Sequence, residues 1–395
     1  ALGKDGENKA RKIGINSLFE IGSISKTFTG ILLADMVLKG EVELADPVQK
    51  YLPEGVKMPR YKGEQITLLH LATHSSSLPR LPTNLNPKDR ENPYADYTQH
   101  HLYAFLSSYE LPYSIGTKTE YSNLGMGLLG HVLALKLGQS YESAIKTRVL
   151  TPLGMTNTSI SLNPKQKALM TRGHNHLGKP AKHWDIPTLA GAGALRSSAK
   201  DMMRYLGANM GIYTSPLDEA ITLSHKFHYD YGGDNTIGLA WITSNTDKGP
   251  LIWHNGGTGG YRSFLGFLPG KERGVLVLVN SMDNADHIAH AILGKQIDLL
   301  NAQHPVERKL SLRALKKFEG VYELSPNFAI TITAGEEGLY AQATGQEKFP
   351  VFAKSETEFY YKVVEASLSF EANDKGEIVA LTLHQNGKHR APKRQ

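Results

Sequence analysis

The chain has no cysteine among its 395 residues. A thiol nucleophile, a thiolate metal site and a structural disulfide are therefore excluded. There is also no apolar run of about 18 residues, so we expect no membrane-spanning helix. Residues 1–8 are polar and lack the apolar stretch of a signal peptide, which is either absent or already removed.

The chain also has little net charge. The formal net charge is only +6, and no dense basic stripe is interleaved with aromatic residues, so we expect no nucleic-acid partner. Part of the excess lies near the end of the chain, and we interpret it as a solvated basic tail. The tail contains Lys388, His389, Arg390, Lys393 and Arg394.

Several motifs of other enzyme classes are missing. No Gly-x-Ser-x-Gly occurs, which argues against an α/β-hydrolase, and no P-loop pattern supports nucleotide binding. His70 and His74 stand four residues apart, but without the glutamate of a zinc protease or a clear third ligand. We therefore expect structural contacts for both histidines, with no metal and no cofactor.

Apolar periodicity and turn residues predict an α+β protein with two domains. In residues 1–305, helices are predicted over 25–39, from 123 to before 138, over 201–206 and over 285–300. Strands of an antiparallel sheet are predicted over 236–242, 261–268 and 274–279. Residues 306–395 contain short strand-like runs separated by turn residues, which predicts a small antiparallel β-barrel.

The Ser-x-x-Lys pattern is the first candidate for chemistry. It occurs at Ser23–Lys26, Ser143–Lys146 and Ser197–Lys200. One or two chance matches are about what a chain of this length gives, so the surrounding residues decide. Ser23 precedes a predicted helix, whose first N–H groups and dipole favour negative charge beside the hydroxyl. Lys26 shares that helix face, and a buried lysine that loses its proton can accept one from the serine.

Two later segments complete the candidate site. Tyr121-Ser122-Asn123 precedes a helix, so a phenol that relays protons and an amide that holds a carbonyl can enter one pocket. The segment 253–261, Trp-His-Asn-Gly-Gly-Thr-Gly-Gly-Tyr, leads into a strand. Its glycines let a substrate lie against the strand edge and free a main-chain N–H to stabilise an oxyanion.

Together these three ordered segments resemble the serine β-lactamase and penicillin-binding protein superfamily. The resemblance is to its class C β-lactamase, DD-carboxypeptidase and esterase branch, and it extends to residues 66–79, 152–156 and 190–201. The C-terminal region resembles the lipocalin-like β-domain that many of these hydrolases carry. The resemblance implies a β-lactamase/DD-peptidase-like fold, an antiparallel sheet flanked by helices with a helical subdomain.

The resemblance also implies roles for individual residues. Ser23 would be the nucleophile that forms an acyl-enzyme, with Lys26 and Tyr121 as the proton-transfer pair. Asn123 would bind the substrate amide. His254, Asn255 and Gly256 stand where β-lactamases carry Lys-Thr-Gly, and the N–H groups of Ser23 and Gly257 would form the oxyanion hole.

Three features depart from the family pattern. His254 replaces a lysine, so we expect a charge that varies between about pH 5 and 8 and a peptidase or esterase with weak β-lactamase activity. Asn255 replaces a threonine that helps to bind a carboxylate, a loss for which Arg262 is a candidate replacement. Ser23 lies nearer to the first residue than in relatives, which carry a helix and one or two strands before the serine.

The expected partner is a small molecule or short peptide: a β-lactam, a peptide of the D-alanine type or an ester. The resemblance implies a periplasmic or secreted protein, and the sequence is compatible with a monomer or a homo-oligomer. The alternative function is that of a catalytically silent relative that binds peptide or assembles through its β-domain. The intact Ser23, Lys26 and Tyr121 argue against this alternative.

Overall fold

In the computed structural model of the protein, the helix that follows Ser23 runs through the hydrophobic core. It spans Ser25–Leu38 and is buried on nearly every side, as expected for a helix whose apolar residues occupy all faces. Its polar side chains find partners inside the core; Thr27 Oγ1, for example, lies 2.8 Å from Tyr205 Oη. Gly40 follows with a φ of +67°, a conformation that favours glycine after a helix.

The structure describes most of the chain, and the chain divides into two units, Ala1–Ile297 and Asp298–Gln395. The described residues are 4–5, 11–283, 286–294, 307–325, 328–336, 338–344, 346, 348–361, 366–384 and 388–394. The boundary predicted between residues 305 and 306 lies outside them and stays a prediction.

Ten helices occur in the described residues. They are α1 (Ser25–Leu38), α2 (Leu68–Ala72), α3 (Gln99–Ser108), α4 (Asn123–Lys136), α5 (Tyr141–Ile145), α6 (Pro164–Leu169), α7 (Ala199–Asn209), α8 (Asp218–His225), α9 (Asp286–Leu293) and α10 (Leu312–Leu315). Of the predicted helix 285–300, residues 285 and 295–300 lie outside the described part. No described helix has the length and apolar character that crossing a membrane requires.

Short strands in the first unit bring distant segments together. They are β1 (Lys4–Asp5), β2 (Arg11–Lys12), β3 (Leu18–Glu20), β4 (Arg60–Tyr61), β5 (Glu64–Gln65) and β6 (Arg196–Ser198). The strands pair antiparallel as β1 with β2, β3 with β6 and β4 with β5. The pairing of β3 with β6 joins the segment before Ser23 to the segment before α7.

A six-stranded antiparallel sheet carries the glycine-rich segment. Its strands are β7 (Tyr229–Gly232), β8 (Asn235–Ile237), β9 (Ile242–Thr246), β10 (Gly249–Gly257), β11 (Arg262–Leu268) and β12 (Arg273–Val279), in the order β12-β11-β10-β9-β8-β7. The register sets His254 opposite Leu265 and Gly257 opposite Arg262. The glycine-rich segment therefore lies at the end of β10, a strand in the middle of the sheet.

The single strand predicted over residues 236–242 is wrong, because the chain turns between β8 and β9. Gly238 N–H donates to the Trp241 carbonyl at 2.8 Å, and Ala240 has a φ of +69°. The main chain leaves the sheet here to bond helix ends: Leu239 N–H donates to the Ser224 carbonyl and Ala240 N–H to the Ala72 carbonyl. These partners are remote in sequence, so the local β-branched pattern could not reveal the turn.

The second unit is a nearly closed antiparallel barrel of eight strands. They are β13 (Gly320–Ser325), β14 (Phe328–Gly335), β15 (Gly338–Ala343), β16 (Lys348–Ala353), β17 (Glu358–Tyr360), β18 (Ser367–Ala372), β19 (Ile378–His384) and β20 (Lys388–Pro392), each paired with the next. Arg394 N–H donates to the Val321 carbonyl at 2.7 Å, which returns the end of the chain to β13. The predicted small β-barrel is confirmed.

The solvated basic tail is a wrong prediction, because the last basic residues belong to the barrel. Residues 388–392 form β20, and Arg390 pairs with Glu371 of β18 at 2.9 Å. Lys393 N–H donates to the Val379 carbonyl. The side chains of His389 and Arg390 are exposed, and this is why composition alone resembled a tail.

Replacing Gly30 by alanine should destabilise the first unit. An added Cβ would collide with the Leu239 carbonyl oxygen in the turn between β8 and β9. Helix propensity favours alanine by about 1 kcal/mol, whereas overpacking a core costs about 1–3 kcal/mol. We expect a lower midpoint of urea unfolding for Gly30→Ala, with a net loss of up to about 2 kcal/mol.

The matched control is Gly14→Ala, whose added Cβ meets no atom within 4 Å. This variant should keep its stability within about 0.5 kcal/mol. Equal midpoints of urea unfolding for Gly30→Ala and Gly14→Ala would show that the turn between β8 and β9 moves away from the added methyl group without loss of stability.

Candidate active site

Ser23 lies in a tight turn, residues Gly22–Ile24, directly before α1. Gly22 has a φ of +51°, and a Cβ at this position would lie 2.6 Å from the backbone nitrogen of Gly257. Only glycine fits both the conformation and the close approach. The turn thereby sets Ser23 against the end of β10.

The amine of Lys26 has three oxygen neighbours. Its Nζ lies 2.9 Å from Ser23 Oγ, 2.8 Å from Asn123 Oδ1 and 2.7 Å from the Ala192 carbonyl oxygen. An amide oxygen and a carbonyl oxygen can only accept, so two N–H groups of Lys26 are committed to them. A neutral amine then has its lone pair left for the third neighbour, the hydroxyl of Ser23.

Burial favours this neutral form of Lys26. The side chain is completely buried, and desolvation, followed by the charge of Arg80, holds its pKa well below the ordinary value of 10.5. The two acceptors besides Ser23 are uncharged, so no carboxylate in this set offsets the cost of burying an ammonium ion. Lys26 is thus suited to accept a proton from the serine.

Tyr121 lies next to both groups. The Lys26 Nζ is 4.8 Å from the centroid of the Tyr121 ring, and Ser23 lies near enough to the phenol to affect its pKa. Desolvation raises the pKa of the phenol above its ordinary value of 10, although Ser23 acts in the opposite direction. Tyr121 therefore keeps its proton at neutral pH, and Lys26 is the stronger candidate for the base.

Asn123 is held at the first residue of α4. Its backbone N–H donates to the Arg80 carbonyl at 3.0 Å, and its side-chain oxygen accepts from Lys26. The bond to Lys26 and the backbone bond to Arg80 hold Asn123 beside the lysine.

The end of β10 approaches the nucleophile turn closely. A Cβ at Gly256 would collide with the Ile21 carbonyl oxygen and lie 3.0 Å from the backbone nitrogen of Ser23. Ser263 Oγ donates to the same Ile21 carbonyl at 2.8 Å. The glycines predicted for this strand are therefore required by sterics, and they bring the main chain of Ser23 beside that of Gly257.

His254 is buried and neutral. Its Nδ1 lies 2.5 Å from the Asn255 carbonyl oxygen and must carry the hydrogen, so Nε2 is an acceptor, and this buried atom has no partner in the described structure. Desolvation and the nearby Lys26 lower the pKa of His254 to about 3. The predicted change of charge between pH 5 and 8 is therefore wrong, because burial prevents protonation in that range.

Asn255 and Arg262 lie on another side of the strand end. Asn255 Nδ2 donates to Asp286 Oδ2 at 2.6 Å, and Asp286 also interacts electrostatically with Arg262. Arg262 Nη1 donates to the carbonyl oxygens of Thr258 and Tyr261 at 3.3 Å. Neither side chain makes a hydrogen bond to Ser23, Lys26 or Tyr121 within the described residues, although the Arg262 guanidinium lies against Gly257.

Two residues near the cluster were not predicted as site residues. His74 packs against Tyr121, with ring centroids 4.6 Å apart, and its Nδ1 accepts from the Ser122 N–H at 3.1 Å. The structural bonding predicted for His70 and His74 is confirmed, since His70 Nδ1 accepts from the Thr67 N–H. Arg80 lies with its guanidinium carbon 5.0 Å from the centroid of the Tyr121 ring. Neither position has a sequence signal of its own, because both depend on the loop after α2 reaching α4.

The other two Ser-x-x-Lys patterns lack this environment. Lys146 and Lys200 are both exposed, in contrast to the buried Lys26. Ser143 Oγ donates to Gln139, and Ser197 Oγ pairs with Thr158. Burial of the lysine separates the candidate nucleophile from the chance matches.

Residues 2–298 match the Beta-lactamase family model. The chain belongs to the β-lactamase family. Residues 304–392 of this family member also match a second family model, described as a domain of unknown function (DUF3471).

Curated relatives of this β-lactamase-family protein include both lactamases and a peptidase. This chain is 31% identical over 316 residues to a β-lactamase of Pseudomonas fluorescens. The alignment covers 70% of this chain and 84% of the relative. The chain is 30% identical over 282 residues to the D-alanyl-D-alanine-carboxypeptidase/endopeptidase AmpH of Escherichia coli K12, covering 67% and 71%.

Solved structures of a carboxypeptidase and of a β-lactamase have a similar fold. The D-alanine carboxypeptidase AmpC from Burkholderia cenocepacia matches with a TM-score of 0.64 and 27% identity, over 74% of this chain and 88% of that one. A class C β-lactamase matches with a TM-score of 0.63 and 26% identity, over 72% and 83%. The predicted family, the α+β fold class and the serine-hydrolase class of enzyme are confirmed.

Replacing Lys26 by arginine should abolish most of the activity. A guanidinium cannot release its proton, so it cannot accept one from Ser23. We expect kcat/KM for a chromogenic ester to fall about 10²- to 10⁴-fold, the usual contribution of a general base. Lys200→Arg, in another Ser-x-x-Lys pattern, is the matched control and should retain wild-type rates; a Lys26→Arg enzyme within tenfold of wild type would contradict the assignment.

The imidazole of His254 should not titrate between pH 5 and 8. Because its pKa is lowered to about 3, the proton is gained only in strongly acidic solution. Spectra of ¹⁵N-histidine-labelled protein, with His254→Asn to identify the signal, should show a neutral ring throughout this range. A histidine-containing model peptide, with a pKa near 6.5, provides the reference. A titration midpoint of the His254 imidazole above pH 5 would contradict the lowering of its pKa by burial.

Proposed function

We propose that the protein hydrolyses β-lactams, peptides ending in D-alanine or esters through an acyl-enzyme on Ser23. The observation that carries this proposal is the contact of the buried Lys26 amine with Ser23 Oγ at 2.9 Å. Two uncharged acceptors hold the same amine, which orients its lone pair toward the hydroxyl. A weak nucleophile next to a deprotonated base becomes competent to attack a carbonyl.

The reaction would begin with transfer of the Ser23 proton to Lys26 as Oγ attacks the substrate carbonyl. The negative charge on the tetrahedral intermediate would be stabilised by the N–H groups of Ser23 and Gly257, with Asn123 bonding the substrate amide. One oxyanion donor is worth about 3 kcal/mol in such reactions. Tyr121, whose raised pKa keeps it protonated, would donate its proton to the leaving group and take up the proton that Lys26 received from Ser23, which restores both groups. Water would then hydrolyse the acyl-serine.

Among the three substrate classes, we favour peptides and esters over efficient β-lactam hydrolysis. His254 stands where efficient β-lactamases carry a lysine, and a neutral histidine at this position resembles the peptidase and esterase relatives more than those β-lactamases. A β-lactamase and a D-alanyl-D-alanine carboxypeptidase both stand among the relatives, so fold alone does not choose between them. Turnover of nitrocefin, measured beside D-alanyl peptides and p-nitrophenyl esters, ranks the three activities.

The site of action that we propose is the periplasm or the cell exterior. Peptides ending in D-alanine belong to the bacterial cell wall, which lies outside the cytoplasmic membrane. Detection of the native protein in a periplasmic or culture fraction tests this assignment, and recovery only with cytoplasmic markers would contradict it.

Covalent labelling should occur on Ser23. Intact mass spectrometry after incubation with penicillin or a fluorophosphonate should show a single added mass, and peptide mapping should place it on Ser23. Ser23→Ala should remain unmodified, whereas Ser143→Ala, in another Ser-x-x-Lys pattern, should label as wild type does. An unmodified wild-type mass with both reagents would favour the catalytically silent alternative.

A further inference from the structure

The candidate site needs a cation if it is to hold a charged substrate, and three basic residues near it are either uncharged or already engaged. Lys26 is buried with its amine engaged by three oxygens, and its lone pair is required for chemistry. His254 is buried and neutral. Arg262 donates to backbone carbonyls and interacts with Asp286. A substrate carboxylate would therefore have to find its partner elsewhere.

Arg80 is a cation held at the edge of the cluster. Its carbonyl oxygen accepts the N–H groups of Asn123 and Leu124 at 3.0 and 3.2 Å, so its backbone is attached to the start of α4. Its side chain is exposed, and the guanidinium carbon lies 5.0 Å from the centroid of the Tyr121 ring. The position thus combines a fixed backbone with a charge that solvent and ligands can reach.

The charge of Arg80 is not neutralised. No carboxylate in the described part of the chain forms an ion pair with it, whereas the comparable Lys118, whose amine lies over the Tyr113 ring, pairs with Glu120 at 3.7 Å. The field of Arg80 reaches the reacting groups, since it lowers the pKa of both Lys26 and Tyr121. An arginine fork suits a carboxylate, with which it can form two parallel hydrogen bonds.

We propose that Arg80 binds a carboxylate on the leaving group of the substrate. This inference rests on the proposed function, in which Tyr121 protonates the departing atom. Because the guanidinium lies against the ring of Tyr121, an anion paired with Arg80 would lie close to the group that Tyr121 protonates. The preferred substrates are then acyl donors with an anionic leaving group, such as peptides with a free C-terminal carboxylate.

The test uses two esters that produce the same acyl-enzyme. In 4-acetoxy-3-nitrobenzoate the leaving group carries a carboxylate, and in the methyl ester of this compound it does not. Both release a coloured nitrophenolate, and both acetylate the same serine, so deacylation is common to them. The measured quantity is the ratio of kcat/KM for the carboxylate substrate to kcat/KM for its methyl ester.

We expect Arg80→Gln to lower this ratio about tenfold or more, mainly through KM, as loss of a charge-assisted bond predicts. Arg80→Lys should retain part of the ratio, because it keeps the charge but not the planar fork. Rates are compared on the plateau of each variant's pH profile, so that a shifted Lys26 pKa does not alter the ratio. Lys118→Gln, which removes the paired cation over Tyr113, should leave the ratio at its wild-type value.

An unchanged ratio in Arg80→Gln, whether both substrates slow equally or neither does, would overturn the inference. Such a result would assign Arg80 to the electrostatics of Lys26 and Tyr121 or to no role in recognition. Ser23→Ala separates this failure from failure of the proposed function. If Ser23→Ala still turns over the methyl ester at the wild-type rate, the acyl-serine itself is absent.

Discussion

A buried amine beside a serine hydroxyl is the interaction on which the rest of this protein depends. Lys26 can be buried only because its hydrogens meet the oxygens of Asn123 and Ala192, and burial is what weakens its hold on a proton. The acceptors come from α4 and from the turn before β6, two segments that are distant in sequence. The helices around α1 therefore position the acceptors that a neutral lysine requires.

Close backbone contacts join the sheet to this helix. Glycines at 22 and 256 allow the turn before α1 to touch the end of β10 without side chains between them. A side chain at Gly22 or Gly256 would force the strand away from the nucleophile. His254, two residues before Gly256, is buried as well, and burial removes the charge that a lysine would supply at that position.

Much of this arrangement was predictable from local sequence. The motif around Ser23, the Tyr-x-Asn segment and the glycine-rich strand were identified by residue type and order, and the helices α1 and α4 follow apolar periodicity. The strand predicted over residues 236–242 failed because main-chain bonds to Ser224 and Ala72 replace sheet pairing there. The basic tail failed because β20 pairs with β19 through backbone groups, for which composition has no signal.

By itself, the sequence determined the α+β class and pointed to the candidate nucleophile and its lysine, because these depend on residue types at short, regular spacings. Only the tertiary structure decided which charges are available in the site. The ionisation of His254 depends on burial, the pairing of Arg262 depends on Asp286, and the placement of Arg80 depends on a loop that reaches α4. Desolvation and Coulomb interactions act through space between segments that are far apart along the chain, so no local pattern contains them.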